Sequence, residues 1–376
     1  MNFSDLLTPT TISTQFNKLP VDILLSYEDC NFSDYDVFIV GYAEDRNSEN
    51  AGAGTAADSI RTQLYSLFTH SKSLKICDLG NCKLGKTVKD SYMIVKELCS
   101  LLHSYKKPLI LIGGTQEITC TLAQERLKDE EFPTLTCIDA KIDLHANGED
   151  FHHTNYIAQL TNTYVTIKVN HIAVQEYLSH PNSFEFLTAH NFPYIRLGNV
   201  LHNTKHTEPM LREAQLVSFD TTALRVSEFD ANRDTLPAGV YVEDACQMAW
   251  YAGFSQEMNT FVLSEYNPTR AVNSSSSAAI CALILWYVLD GISQRNPIPN
   301  NRYEDVCTIH YVKNNVMEHD VRFFEHTVSK QMWVELPLPD YNTKRILPCS
   351  FSDYQLFSHG EIPENWIMEL RRANKR

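Results

Sequence analysis

The sequence predicts an α/β fold: a mainly parallel sheet covered by helices on both faces, with a small β-hairpin and helix appended at the C-terminus. Three observations predict it. From about residue 36 to 290, strand-like and helix-like segments alternate along the chain. The strand-like segments are apolar throughout instead of alternating, the pattern of strands buried on both faces. Beyond about residue 300 the alternation stops, proline becomes frequent and two β-prone runs face each other across a short turn.

In order, residues 1–34 mix polar and apolar positions without a period and read as an N-terminal arm. Residues 36–40 form an apolar strand stopped by Gly41. The loop 50–55, rich in Gly and Ala, leads into a helix over 56–69 with Ile60, Leu64 and Leu67 on one face. A strand at 74–77 precedes an amphipathic helix over 88–102. The strand 108–112, ended by Gly113 and Gly114, is followed by a helix over 118–127 and a strand over 132–138. Further strands are expected at 164–169, 192–197, 214–219 and 260–264, with a short helix at 173–178 and a longer one at 242–252. A long helix spans 273–290, with Ser274 to Ser277 offering capping oxygens. The hairpin pairs 321–328 with 332–336, turning at 329–331, and a basic helix covers 364–376. The expected organisation is thus an arm (1–34), an α/β/α domain (35–300) and a C-terminal extension (301–376).

Composition narrows the function. Lys and Arg number 32 against 46 Asp and Glu, a net charge of 32 − 46 = −14. Such an acidic chain is poorly suited to nucleic acid or an anionic membrane. The N-terminus has no basic stretch followed by an apolar one, so no leader is expected. The most apolar run, 278–289, is short for a bilayer and reads as a core helix. Ten cysteines are scattered without a C-x-x-C pair. Buried thiols in a reducing cytoplasm explain them better than disulfides or zinc.

The chemistry gathers at strand ends. Asp139, Lys141 and Asp143 are spaced two apart after the apolar strand 134–138, so on extended backbone they share a face. Taken alone, the stretch suits equally a strand end with solvated charges or a charged centre. Three other strand ends carry polar residues: Gly113-Gly-Thr-Gln-Glu117, Ser218-Phe-Asp-Thr-Thr222 and Leu263-Ser-Glu-Tyr-Asn-Pro268. The C-terminal ends of parallel strands are where open α/β sheets bind ligands. Ser218 and Ser264 lack His and acid partners for a nucleophile triad and read as strand residues. Gly52 and Gly54 lack a phosphate-loop pattern, so flexibility is the expectation there. His145, His152 and His153 follow the central strand near the mouth of such a site. They read as loop histidines, as do His202 and His206, with His153 kept as a substrate-binding candidate.

In these four motifs, in this order, the chain resembles the arginase (ureohydrolase) superfamily, especially its formimidoylglutamase branch. That family carries Gly-Gly-Asp-His, Asp-Ala-His-x-Asp, Ser-Phe-Asp-x-Asp and Glu-x-Asn-Pro. Gly41-Tyr-Ala-Glu-Asp45 and Ala56-Ala-Asp-Ser-Ile-Arg61 are similar to its first strand and the helix after it. The resemblance implies a three-layer α/β/α sandwich, a homo-oligomer, and two manganese ions activating a water that attacks a guanidinium or formimino carbon.

This chain departs from the family at the ligands. Gln116 stands for the first His, Lys141 for the His between two aspartates and Thr222 for an Asp, while Asp139, Asp143 and Asp220 are kept. Glu265 matches the glutamate that holds the substrate's amidine. The expectation is a homologue without the dinuclear centre, in which Lys141 places its charge among Asp139, Asp143 and Asp220 as a built-in cation. It would have a binding, regulatory or structural role and no cofactor. The alternative is a hydrolase of linear amidines using Lys141, Asp143 and Glu265, with one manganese held by Asp139, Asp143 and Asp220 near Gln116, or with no metal. A small amidine or amino-acid ligand is the expected partner. Phe323, Phe324, Trp333 and Trp366 make the extension a candidate interface.

Overall fold

A computed structural model describes residues 2–12, 18–28, 30–68, 74–144, 151–164, 166–234, 236–296, 298, 302–313, 320–337 and 344–373. The large sheet contains β1 (Leu7–Thr8), β2 (Val21–Ile23), β3 (Val37–Gly41), β4 (Ile76–Cys82), β5 (Leu109–Ile112), β6 (Thr134–Ile138), β7 (Lys168–Val174), β8 (Tyr194–Arg196), β9 (Leu216–Asp220) and β10 (Thr260–Ser264). Their order is β1-β4-β3-β5-β10-β9-β6-β7-β8, with β2 also on β4. All neighbours are parallel except β1.

Side chains of each strand point alternately to the two faces, and each face is covered, so continuous apolar runs are what the sheet needs. In β3, Val37 and Ile39 join one core while Phe38 and Val40 join the other. In β5, Ile110 and Ile112 face the first and Leu109 and Leu111 the second. The first core is closed by helices α2 (Ala56–Leu64), α9 (Val242–Phe254) and α10 (Ser274–Ser293), the second by α3 (Val88–His103), α4 (Ile118–Arg126) and α5 (Tyr156–Thr163).

Several boundaries differ from expectation. The arm is part of the sheet: β1 and β2 both pair with β4, which the absence of a period in so short a pair of strands concealed. Tyr164 caps α5, and the next strand starts only at Lys168. That strand runs through Ala173, whose φ is 73°, so the short helix expected at 173–178 shrinks to a 3₁₀ turn at Glu176–Leu178. The segment expected as a strand at 192–197 is β8 alone, followed by a short helix α7 (Leu197–His202). Helix α10 is capped by the Asn273 side chain, which accepts from Ser276 N, where the serines were expected to serve. By length and apolarity α10 would suffice to cross a bilayer, but 56% of its most apolar window is buried inside the protein.

The extension is a second, antiparallel sheet of β11 (Cys307–Val312), β12 (Val321–His326), β13 (Met332–Pro337) and β14 (Lys344–Cys349), in that order, with helices α11 (Tyr303–Val306), α12 (Phe351–Ser358) and α13 (Glu364–Ala373). The hairpin of β12 and β13 is where the sequence placed it. The flanking strands were not legible, since β14 carries Arg345 and Pro348, and only an edge strand tolerates proline. The four aromatics expected at an interface are buried: Phe323, Phe324, Trp333 and Trp366 are at most 7% exposed.

Candidate functional site

The strand order reverses direction of growth at β5: the chain passes from β5 through α4 to β6, skipping the places later filled by β10 and β9. Loops leaving the C-terminal ends of β5, β10, β9 and β6 therefore diverge around one crevice, the usual ligand position of such sheets. Register puts their ends level. Ser264 pairs with Asp220, Leu263 with Ile112 and Ile138 with Phe219. Asp139, Asp220 and Glu265, at or just beyond those ends, must meet.

The turn after β5 needs its glycines. Gly113 and Gly114 have φ of 92° and 68°, and a Cβ at Gly114 would lie 2.6 Å from Tyr42 Cδ1 and 2.9 Å from the Glu44 carbonyl oxygen. That turn delivers Gln116 into the crevice, where it is 1% exposed. With its amide turned to satisfy its neighbours, Gln116 Nε2 lies 3.2 Å from Asp139 Oδ2, 2.9 Å from Asp143 Oδ2 and 3.0 Å from Asp220 Oδ2. Its oxygen then accepts from the Tyr156 hydroxyl at 3.2 Å. One amide nitrogen thus sits between three carboxyl groups.

The carboxyl groups are otherwise satisfied locally. Asp139 Oδ1 accepts from Lys141 N at 2.9 Å, and Asp220 Oδ1 accepts from Thr222 N at 2.6 Å. All three are nearly buried, at 3% for Asp139, 7% for Asp143 and 6% for Asp220. Burial, then Asp143, push the Asp139 carboxyl well above its usual range, and burial, then Asp139, do the same to Asp220. Burial and Asp220 raise Asp143 to about 8. Among the described residues no group of three or more His, Cys, Asp or Glu is arranged to hold a metal ion. The aspartates converge on a nitrogen instead.

The Lys141 ammonium makes no ion pair with these aspartates among the described residues, and its charge lowers their three carboxyl groups only at longer range. The backbone of Lys141 serves Asp139, but its ammonium ion-pairs with Asp234, and both side chains are 29% exposed. Two residues on from Asp139 along a strand would be the same face; here the chain has left the strand at Ile138 and turned, so the ammonium points elsewhere. Burial opposes ionisation of Asp234, yet hydrogen bonds from Arg233 and Lys141 bring its carboxyl down to about 2. Arg233 also pairs with Glu49, which places Lys141, Asp234, Arg233 and Glu49 on one charged chain beside the crevice.

Glu265 is held firmly. Its φ is 68°, uncommon for any residue with a side chain. Oε1 accepts from Gln116 N at 2.8 Å and Oε2 from Asn50 Nδ2 at 2.8 Å, while Asn50 also donates to the Glu265 carbonyl at 2.9 Å. Burial, then Asp220, raise its carboxyl to about 8. The loop expected to be flexible is thus pinned: Asn267 Nδ2 donates to Asn50 Oδ1 and to the Ala51 carbonyl, and Asp45 Oδ2 accepts from Gly52 N and Gly54 N.

His153 is 9% exposed, its Nδ1 has no partner among the described residues, and its ring lies 4.1 Å from that of His152. Burial and His152 lower it to about 4, and Arg233 and Lys141 act in the same direction, so it is near the charged chain. His202 ends α7 and His206 lies in the turn after it, away from the crevice. His145 falls outside the described residues. Asn50, Tyr156 and Asp234 were missed because nothing in their local sequence marks them; each acts through a contact with a residue more than ten positions away.

Comparison with known proteins bears on the family and the fold. The arginase family model matches residues 35–289. No curated protein matches the chain by sequence. Among solved structures it is similar to formiminoglutamase from Trypanosoma cruzi with manganese, at TM-score 0.65 and 16% identity, covering 72% of this chain and 98% of that one. It is similar to formimidoylglutamase from Bacillus subtilis, at TM-score 0.66 and 16% identity, over 79% of this chain and 93% of that one. Proclavaminate amidino hydrolase from Streptomyces clavuligerus gives TM-score 0.62 and 16% identity over 70% and 93%. At these identities the likeness is one of fold.

Proposed function

The chain belongs to the arginase family, and from that premise we propose that it is a member without the dinuclear manganese centre, with a binding, regulatory or structural role in place of hydrolysis. The observation that carries the reading is Gln116 Nε2, within 3.2 Å of Asp139, Asp143 and Asp220. A metal pair needs carboxylates and imidazoles around open space. Here an uncharged donor fills the space between the carboxyl groups, the second imidazole position is a lysine committed to Asp234, and Thr222 donates to Asp220 instead of adding a carboxylate. The retained Glu265, fixed by Gln116 and Asn50, favours a small amidine or amino-acid ligand. Ten free thiols suit the reducing cytoplasm, and a homo-oligomer follows the family.

The second reading is a hydrolase of linear amidines using one metal or none, favoured by the three kept aspartates. One experiment separates the two: metal analysis of the full chain after incubation with manganese, with release of product assayed on formiminoglutamate, arginine and agmatine. The proposal expects no retained manganese and no turnover. Turnover with one equivalent of manganese or with none selects the hydrolase, and two equivalents overturn the account of the ligands.

A further inference from the structure

The two outer strands of the C-terminal sheet are unlike each other. At one side β14 carries Lys344, Arg345 and Pro348, residue types that keep a further strand from adding. At the other side lies β11. It pairs with β12 over all six residues, Cys307 to Val312, without a shift in register. Its outer side has no strand partner among the described residues. The sequence of β11, Cys-Thr-Ile-His-Tyr-Val, is β-prone and holds no Lys, Arg, Asp, Glu, Gly or Pro. Its unpaired backbone groups are therefore unguarded.

The strand is complementary to itself. Cys307 and Ile309 face the core that holds Trp333, while His310 lies against Tyr354 and Val312 joins the core of Phe323 on the opposite face. Tyr311 continues the first face but is 65% exposed. Opposed residues of an antiparallel pair share a face of the sheet. A strand pairing with its own copy about a twofold axis must therefore be centred on a residue, so that each face meets its like. Centred on His310, each Tyr311 falls opposite Ile309 of the second copy, a ring against a β-branched side chain, and each Thr308 falls opposite Val312. The ends also match in charge. Lys313, exposed just past β11, falls opposite Cys307 of the second copy, beside the exposed Asp305 and Glu304 that precede it. At the centre each His310 brings its own Glu325, 3.1 Å away. In a chain of net charge −14, this margin is one that a copy can approach without repulsion between like charges.

We propose that β11 pairs antiparallel with β11 of a second copy of this chain, about a twofold axis beside His310, so that two C-terminal sheets become one. Main-chain hydrogen bonds along the strand supply the attachment. The pairs of Ile309 with Tyr311 and of Lys313 with Asp305 supply the register. A twofold contact uses the same margin on both copies and closes at two, so it doubles whatever assembly the rest of the chain forms, without open-ended growth. The margin lies outside residues 35–289, the part matched by the family model. The inference does not depend on the reading of the aspartate crevice.

The test is the mass of the full chain in solution, measured by light scattering after gel filtration. Thr308→Lys and Tyr311→Lys, both at exposed positions, add a charge to the margin and should each halve the mass of the unsubstituted chain. Lys313→Glu should weaken the assembly about tenfold, and adding Asp305→Lys should restore it, because the opposed charges are then exchanged. His310→Cys treated with glutathione disulfide should give a covalent dimer on a non-reducing gel, since opposed Cα atoms in such a pair lie about 4.5–5.5 Å apart. The unsubstituted chain should give none. Unchanged circular dichroism of the lysine variants controls for folding, and the cross-link decides the matter if either variant unfolds. A mass that neither lysine variant changes would overturn the proposal and leave the margin to an extended segment of another protein. A double variant that assembles no better than Lys313→Glu alone, or a His310→Cys chain that stays uncross-linked, would overturn it as well.

Discussion

The ammonium of Lys141 is ion-paired with Asp234, ninety-three positions later in the chain, and not with the aspartates that flank it. The charge that sequence spacing assigns to the buried cluster therefore sits at its rim and acts on the three carboxyl groups only from a distance. What occupies the cluster is a neutral amide, and the difference has measurable consequences.

Gln116→Leu leaves three buried carboxyl groups without their shared donor and should lower stability by about 2–4 kcal/mol, an unsatisfied buried polar group being costly. Lys141→Ala breaks a partly exposed pair and should cost about 1 kcal/mol or less. Urea unfolding of the two variants checks the ranking. A larger cost for Lys141→Ala would return the lysine to the centre.

Restoring the family's ligands should restore its metal. The triple variant Gln116→His, Lys141→His, Thr222→Asp is expected to bind manganese measurably by calorimetry, while each single variant does not, since two ions need the full donor set. Manganese binding by the Lys141→His variant alone would show that Gln116 does not block the site.

Acid should loosen the seam between the sheets. Burial opposes ionisation of Glu369, but Lys168, Arg345 and Arg372 bring its carboxyl from 4.5 down to about 2. A folded-state value below the unfolded one means the unfolded chain takes up protons first. The stability it contributes is complete above pH 4.5 and is lost as pH falls toward 2. Melting temperature should fall through that window, and Glu369→Gln should start lower and flatten the slope. An unchanged slope in that variant would assign the acid sensitivity to other groups.

Gly114→Ala should destabilise the fold by about 1–3 kcal/mol and displace Gln116, because the residue has φ of 68° and its Cβ would meet the Tyr42 ring at 2.6 Å. Thermal melting measures the cost. A neutral effect would mean the turn relaxes freely.

Much of this was legible in the sequence. Continuous apolar runs such as 109–112 and 260–264 mark strands buried on both faces, and a charge or glycine ending each marks where the site lies. Asp139, Asp143, Asp220, Glu265 and Gln116 do converge. What was not legible is direction. The rule that residues two apart share a face holds only while the strand lasts, and it ends at Ile138, so Lys141 was assigned to the wrong partner. Asn50 and Tyr156 are unmarked for a related reason: their roles arise from pairings between distant segments. The arm was read as irregular because a two-residue and a three-residue strand are too short to show a period.

Those two short strands have a further effect. Both cover β4, which would otherwise end the sheet with free amides and carbonyls along seven residues. At the far side the sheet stops at β8, three residues long, where Arg196 is tied to Glu176. Long, open, apolar margins are the templates on which copies of a chain zip together into aggregates. With one margin covered and the other cut short, this sheet offers little for another strand to join, and removing residues 2–24 should turn a well-behaved chain into one that precipitates on heating.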